Sequence, residues 1–536
     1  MQTLEFEDNK KTIELEEPEQ SEELIDFLQE GGKKSKSKSK SKSKSKSKPS
    51  HKQIFIGKGS YGCTFSPGLD CKSKKCKTNR SRYLANKIQE VSKDSENELA
   101  ISMYIISKIK NYNKRFVPIE KHNIVNFNKI KESNMFDYLI DKCTENSVFA
   151  QYSKTDSLNF INKDYYMFYM RFINGYRFYD HLTKNFDDKP PNKFYNIYIY
   201  SLYYLLNSIY ILNKFKLVHN DFHNGNVMYD LDLKKPIIID FGMTYKTKSC
   251  YKYVSGIDFQ KIKGICYPWF PYDHPKVTTG YWHITEKRFI SFITYNTQLV
   301  DTDFFNFHPI NISSNFEKNF LTKELLDYFI NDIYNSYTFF LLSPELKELF
   351  KPNECKEFYK ILSNYYYKFL PENDNENKYQ YISDIVNELL PYLFKYTDLH
   401  SLTSNFIQIL FKKMKLESAS STNKNNSQNY MDIYYQFIGQ LFKKVYYPNP
   451  IYRLSSDQFI SIISFVFKYC KNIDPKILEE KKLIDDFNDK FKLLLQDIYI
   501  DYDVFFDKNY AYIDFNIILG DDNNFNIIKN FNYDIL

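Results

Sequence analysis

A chain of 536 residues with a formal net charge of +7 and 43% hydrophobic residues can bury two lobes and carry further segments. Tyr (48) and Phe (47) are abundant against 2 Trp and only 14 Gly, so a close cluster of glycines carries information here. Eight Cys without regular spacing argue against a disulfide scaffold and for free thiols in a reducing compartment; no apolar run approaches the ~18 residues of a membrane span, which points to a soluble protein with no transmembrane segment.

Residues 1–32 hold eleven acids, Glu5 to Glu30, against Lys10 and Lys11; residues 33–48 hold nine lysines alternating with serines and no acid. The first 48 residues therefore carry no net charge, and the positive excess resides in the rest of the chain. A Lys-Ser repeat has no apolar residue to bury and is expected to be disordered. Its readings are a solvated linker, an import-like patch, or a weak tether to nucleic acid or an anionic surface.

Ile54-Phe55-Ile56-Gly57-Lys58-Gly59-Ser60-Tyr61-Gly62-Cys63-Thr64-Phe65 reads as a strand, a glycine turn and a second strand. Glycines at 57, 59 and 62 let backbone approach phosphates without obstruction. A dinucleotide fingerprint would want a helix directly after them, whereas Cys63-Thr64-Phe65 continues as strand. A polar insertion follows over 66–82. Cys71 and Cys76 with Cys63 fit no common zinc spacing, so free thiols are expected. Tyr83–Ile88 is a strand with one central lysine, Lys87, and Glu98 opens the apolar side of a helix near 94–109, with Glu96 as its rival. A lysine on nucleotide phosphates, held by a helix glutamate, is a recurrent pair in phosphoryl transfer.

Tyr165–Met170 is an apolar strand ending at Arg171-Phe172-Ile173-Asn174-Gly175. Leu202, Leu205, Leu206, Ile209 and Leu212 recur at steps of three and four, which predicts a helix over 194–214 with one buried face. The chain then reaches His219-Asn220-Asp221-Phe222-His223-Asn224-Gly225-Asn226, entered by the short strand Leu217-Val218. Asp240-Phe241-Gly242 follows, entered by Pro236–Ile239. Two acids and an amide at this spacing suit ATP chemistry: one carboxylate orients a hydroxyl, while an Asn and another carboxylate hold Mg²⁺ on the triphosphate.

Four motifs in this order resemble a divergent eukaryotic-type serine/threonine protein kinase, in the style of those encoded by large nucleocytoplasmic DNA viruses. The resemblance covers roughly 51–345 and returns near 440–470. The composition, rich in residues with A/T-rich codons, agrees with such an origin, and host cytoplasm or virion would be its location. It implies an α+β, bilobal protein-kinase-like fold: a disordered tail over 1–50, a strand-rich lobe over 51–172 and a helical lobe over 173–475. Insertions are expected near 243–330 and 345–440, and an extension over 476–536. ATP and Mg²⁺ would be the cofactors and protein hydroxyls the acceptors.

The implied roles are Asp221 as catalytic base, Asn226 and Asp240 as metal ligands, and Ile56 through Thr64 with Lys87 and Glu98 as nucleotide contacts. His219 would pack behind the loop. Asp332 resembles the helix acid that braces this loop in kinases, and Arg453 their late buried arginine. Three departures stand out. Asn220 occupies the place of an arginine found in kinases switched by phosphorylation; His223 occupies the place of the usual lysine and could touch a γ-phosphate; and no Ala-Pro-Glu follows Gly242, the Pro-containing candidates at 274–276 and 308–310 lacking the acid. His223 and Gly225 are also met in small-molecule kinases of the aminoglycoside and choline type. A pseudokinase-like scaffold is the remaining alternative.

Overall fold

The computed structural model describes residues 54–59, 62–66, 84–126, 164–184, 191–247, 284–290, 321, 323–339, 350–370, 382–419, 434–472, 480–510, 512–515, 519 and 529. The Lys-Ser tail, Ser60 and Tyr61 of the glycine turn, residues 67–82 with Cys71 and Cys76, and the aromatic stretch around Trp269 lie outside them. The architecture is mixed α+β, strand-containing at the N-terminal side and helical after it. Among the described residues no helix is long and apolar enough to cross a membrane.

Strands β1 (Ile54–Gly59), β2 (Gly62–Ser66), β3 (Leu84–Glu90), β4 (Lys121–Asn126) and β5 (Asp164–Arg171) form one antiparallel sheet in the order β1-β2-β3-β5-β4. β1 and β2 pair antiparallel, with Gly59 opposite Gly62. Thr64 of β2 lies opposite Lys87 of β3, and Lys87 opposite Phe168 of β5. The two strands expected on either side of Ser60 and Tyr61 are therefore present and paired.

Helix α1 (Lys93–Lys108) begins at Ser92, whose side chain accepts from the Ser95 amide while Ser95 Oγ accepts from the Ser92 amide. This reciprocal cap satisfies two of the amides that a helix start leaves unpaired, and so fixes where the helix begins. Its buried face runs through Glu98, Ile101, Ile105 and Ile109, the three- and four-residue steps of a helix turned inward.

After β5 the chain passes through 172–174 into β6 (Gly175–Arg177), α2 (Phe178–Lys184) and α3 (Pro191–Lys214). The stripe Leu202, Leu205, Leu206, Ile209 and Leu212 is fully buried, as its periodicity requires. β7 (Leu217–Val218) pairs with β10 (Tyr245–Lys246), while β8 (Val227–Asp230) lies between β6 and β9 (Lys235–Ile238). These short ladders hold residues 219–226 and 239–244 as adjacent loops. The helical part continues with a short helix over 285–290, α4 (Lys323–Phe339), α5 (Pro352–Tyr367), the long α6 (Ile382–Ala419), a π-helical turn (Tyr434–Gly439), α7 (Gln440–Val445), α8 (Ser456–Asn472), α9 (Glu480–Asp497) and α10 (Tyr502–Phe505). α3 packs against α6 and α8, and their apolar faces form the main core with the inner face of α1.

Candidate active site

Lys87 projects from β3 to Glu98, its Nζ donating to Oε2 at 2.8 Å and Oε1 at 3.0 Å. It also reaches Asp240 Oδ1 at 3.4 Å. Glu96 is exposed while Glu98 is buried, so the helix face decides between the two candidates. Burial alone would lower the Lys87 ammonium, but the carboxylates of Asp240 and Glu98 outweigh it and hold the group above its ordinary value. Burial lifts the Glu98 carboxyl, with Lys87 pulling it back. Burial also opposes ionisation of Asp240, yet Lys87 and the Gly242 amide hold that carboxyl below the usual range. Asp240 is thus kept as an anion beside a fixed cation.

The loops give these side chains their aim. Asp240 adopts φ 60° and Asn220 φ 64°, left-handed conformations that Asn and Asp tolerate better than most residues. Gly242 donates to Asp240 Oδ1 at 3.2 Å. A Cβ on Gly242 would stand 3.2 Å from that oxygen, so a larger residue there would press on the Asp240 carboxylate by a few tenths of an ångström. Phe241 packs edge-on against His219 and Phe116. His219 Nε2 lies 3.1 Å from the Ile239 carbonyl, and the ring is fully buried, which is the packing role expected of it.

Asp221 is partly exposed. Asn226 Nδ2 donates both to its backbone carbonyl and to its Oδ2, each at 2.8 Å. That uses the amide nitrogen of Asn226 and leaves Oδ1 as the side-chain atom that could face a cation. His223 Nδ1 accepts from the Gly225 amide at 2.9 Å, and Nε2 stands 3.5 Å from Asp221 Oδ2. With Nδ1 accepting, a single ring proton belongs on Nε2, the nitrogen nearer Asp221. Burial disfavours a second proton, but Asp221 and Asp240 outweigh it and raise His223 above its ordinary value. Gaining that proton costs the Gly225 hydrogen bond.

The acid that holds this loop is Asp398 of α6, and the role expected of Asp332 falls to it. Asp398 Oδ2 accepts from the His219 amide and Oδ1 from the Asn220 amide, both at 2.8 Å. Asp332 lies in the middle of the helix Lys323–Phe339 and not at a helix start. The same face of α6 adds Asn405, donating to the Phe222 carbonyl at 2.7 Å, and Gln408, accepting from Asn224 at 3.2 Å. α6 falls in the stretch 345–440 read from sequence as an insertion, yet it supports the loop directly.

Arg453 is buried, as the sequence implied, and its partner is Glu286. Two parallel bonds of 2.7 and 3.0 Å join them, and Arg453 Nε donates to the Tyr447 carbonyl. Glu286 follows Ile284-Thr285, so a search for Pro before the acid passes over it. Its neighbour Lys287 donates to Asn220 Oδ1 at 3.2 Å.

The glycine-turn candidates divide by position: Ile56, Gly57, Lys58 and Gly59 lie on β1, Gly62, Cys63 and Thr64 on β2, and Ser60 and Tyr61 lie outside the described residues. Cys63 departs from the expectation of free thiols: it is buried on β2 and disulfide-bonded, a juxtaposition that irregular sequence spacing does not disclose. Cys355 and Cys470 are free. Beyond β5, Val117, Ile173 and Ile237 form a small apolar cluster with Met170, Met228 and Ile239 at its margin. No family model and no curated protein matches this chain.

Proposed function

We propose that the chain is an ATP-dependent phosphotransferase acting on serine or threonine hydroxyls of proteins. The observation that carries this reading is the grouping of Lys87, Glu98 and Asp240 beside the Asp221–Asn226 pair, with His223 feeling the charges of both Asp221 and Asp240. The donor set fits a nucleotide with Mg²⁺. Among the described residues no group of three or more His, Cys, Asp or Glu could hold a metal alone. Mg²⁺, however, is commonly bound by one or two protein oxygens with phosphates and water completing the shell. Asn226 Oδ1 and Asp240 would hold it, and its charge would offset that of the phosphates.

The remaining work belongs to this chain's own side chains. Lys87 supplies a cation for nucleotide phosphates, fixed in place by Glu98. Asp221, steered by Asn226, orients the acceptor hydroxyl and takes its proton as the oxygen bonds to the γ-phosphorus and the bond to ADP breaks. The apolar cluster beyond β5 suits an adenine ring, with the backbone of 171–174 beside it.

A second reading rests on the His223–Gly225 contact. A Cβ on Gly225 would stand 2.6 Å from His223 Cε1, so these two residues are matched to each other, a pairing met in small-molecule kinases. Labelled ATP and Mg²⁺ with protein substrates, and separately with alcohols and aminoglycosides, distinguishes the two. Asp221→Ala should slow transfer by at least ~10²-fold in a folded protein. Near wild-type turnover in that variant would move the active site elsewhere.

A further inference from the structure

The geometry points to Lys287 as a positioning residue for Asp221, an inference that rests on the phosphotransferase reading. Lys287 is 1% exposed and Asn220 2% exposed, and the Lys287 Nζ donates to Asn220 Oδ1 at 3.2 Å. Desolvating an ammonium is expensive, so a lysine this deep must be held by the structure around it. What it holds in turn is the residue directly before Asp221.

Asn220 is fixed from three directions. Its amide donates to Asp398 of α6, its Nδ2 points to the Met243 carbonyl at 3.5 Å, and its Oδ1 accepts from Lys287. Its left-handed φ of 64° turns the chain so that the buried run Leu217–Asn220 gives way to the partly exposed Asp221. An Asn side chain released from Lys287 loses one of the contacts that select this conformation, and the turn can relax toward ordinary backbone angles. Asp221 would then sample orientations outside the one steered by Asn226.

The short helix 285–290 makes this a link between distant parts. Glu286 ties it to Arg453, before α8, by two short ionic hydrogen bonds; Lys287, one residue on, ties it to the loop bearing Asp221. Adjacent side chains thus reach two distant elements from one short helix. Lys287 touches neither nucleotide nor acceptor in this scheme; its reach to Asp221 runs through Asn220.

The test compares Lys287→Met, Lys287→Arg and Asn220→Ala with the double variant Lys287→Met/Asn220→Ala. Expected results are a 10- to 100-fold fall in kcat for Lys287→Met, KM for ATP within about two-fold of wild type, and partial recovery with Lys287→Arg, which keeps a donor. The double variant should be no slower than the worse single one, because both remove the same bond. Amide hydrogen exchange should quicken at 217–228 and stay unchanged in α8; this readout does not depend on turnover. If Lys287→Met fails to fold, Asn220→Ala and Lys287→Arg carry the comparison. A folded Lys287→Met protein with wild-type kcat, additive effects in the double variant, or unchanged exchange at 217–228 overturns the inference. Wild-type protein that transfers phosphate to no acceptor overturns the phosphotransferase reading instead.

Discussion

Removing Asp398 is the sharpest perturbation of the support beneath the site. Its carboxylate accepts from two consecutive backbone amides, His219 and Asn220, at 2.8 Å each, and all three residues are buried. Burial pushes the Asp398 carboxyl above its ordinary value, while the nearby His219 and the two amides pull it back, so the donors are what keep a charge there tolerable. In Asp398→Ala both amides lose their acceptor in a place that water reaches poorly. A buried donor left unpaired costs about 1–3 kcal/mol, so the pair should cost about 2–6 kcal/mol. Domains typically have about 5–15 kcal/mol in total, and the loss should be visible as a large drop in the denaturation midpoint followed by circular dichroism. Asp398→Asn keeps one acceptor oxygen and should fall between wild type and Asp398→Ala.

Activity should suffer beyond stability. The two amides lead directly into Asp221, and their release lets the loop leave the conformation that Asn226 stabilises. At a temperature where the variant remains folded, transfer should fall at least ~10²-fold, the scale expected when a positioned base is displaced. Asp332→Ala is the control and should leave both stability and turnover close to wild type. A folded and fully active Asp398→Ala protein beside a disabled Asp332→Ala protein would refute this account of the loop.

Lys87→Met and Asp240→Ala should each cripple transfer through different losses, a phosphate cation in one and a metal ligand in the other; normal activity of Asp240→Ala in Mg²⁺ would remove the metal assignment. Lys444, whose Nζ donates to the Val504 and Tyr510 carbonyls, is pushed down to about 7 by burial, with Asp507 and Glu354 partly offsetting it. Its folded value lies below the ordinary lysine value of 10.5, so the unfolded chain binds the proton more tightly and stability should rise with pH across that window. The wild type should gain on Lys444→Met by up to ~1.4 kcal/mol per pH unit above pH 7 and show no such trend below it, whereas parallel stability curves would count against a neutral Lys444. Phosphatase treatment should leave the rate nearly unchanged: Asn220 offers no bidentate ion pair to a phosphate, and Thr244 and Thr247 are buried. A large loss restored by self-phosphorylation would reverse that expectation.

The residues that could be read from sequence share one property: local backbone sets their spacing. Asp221 and Asn226 sit on one loop, Asp240 and Gly242 on one turn, and the glycines on one pair of strands, so a motif of a few residues already fixes their relative placement. Lys87 and Glu98 lie 11 apart, a strand and a helix start, and still form a legible pair. The supports could not be read in this way. Asp398 is 178 residues from Asn220, Glu286 is 167 from Arg453, and Lys287 is 67 from Asn220. Their meeting depends on how α6, helix 285–290 and α8 pack, which no short motif encodes.

A physical signal for them nevertheless exists, and it is solvation cost rather than spacing. Asp398 stands on a helix whose neighbouring positions Leu393, Phe394, Leu399 and Leu402 are apolar, so its face must be buried, and an acid there is tolerable only with donors waiting for it. Thr285-Glu286-Lys287-Arg288 would ordinarily be read as a solvated face, yet all four are buried. The apolar Ile284, Phe289 and Ile290 around them are buried too and draw this stretch inward. A charge run inside an apolar frame has to find partners elsewhere in the chain. For Glu286 and Lys287 those partners are an arginine near α8 and the asparagine beside Asp221. Polar residues at positions that apolar neighbours force inward are therefore where sequence reasoning should look for the residues that hold a site.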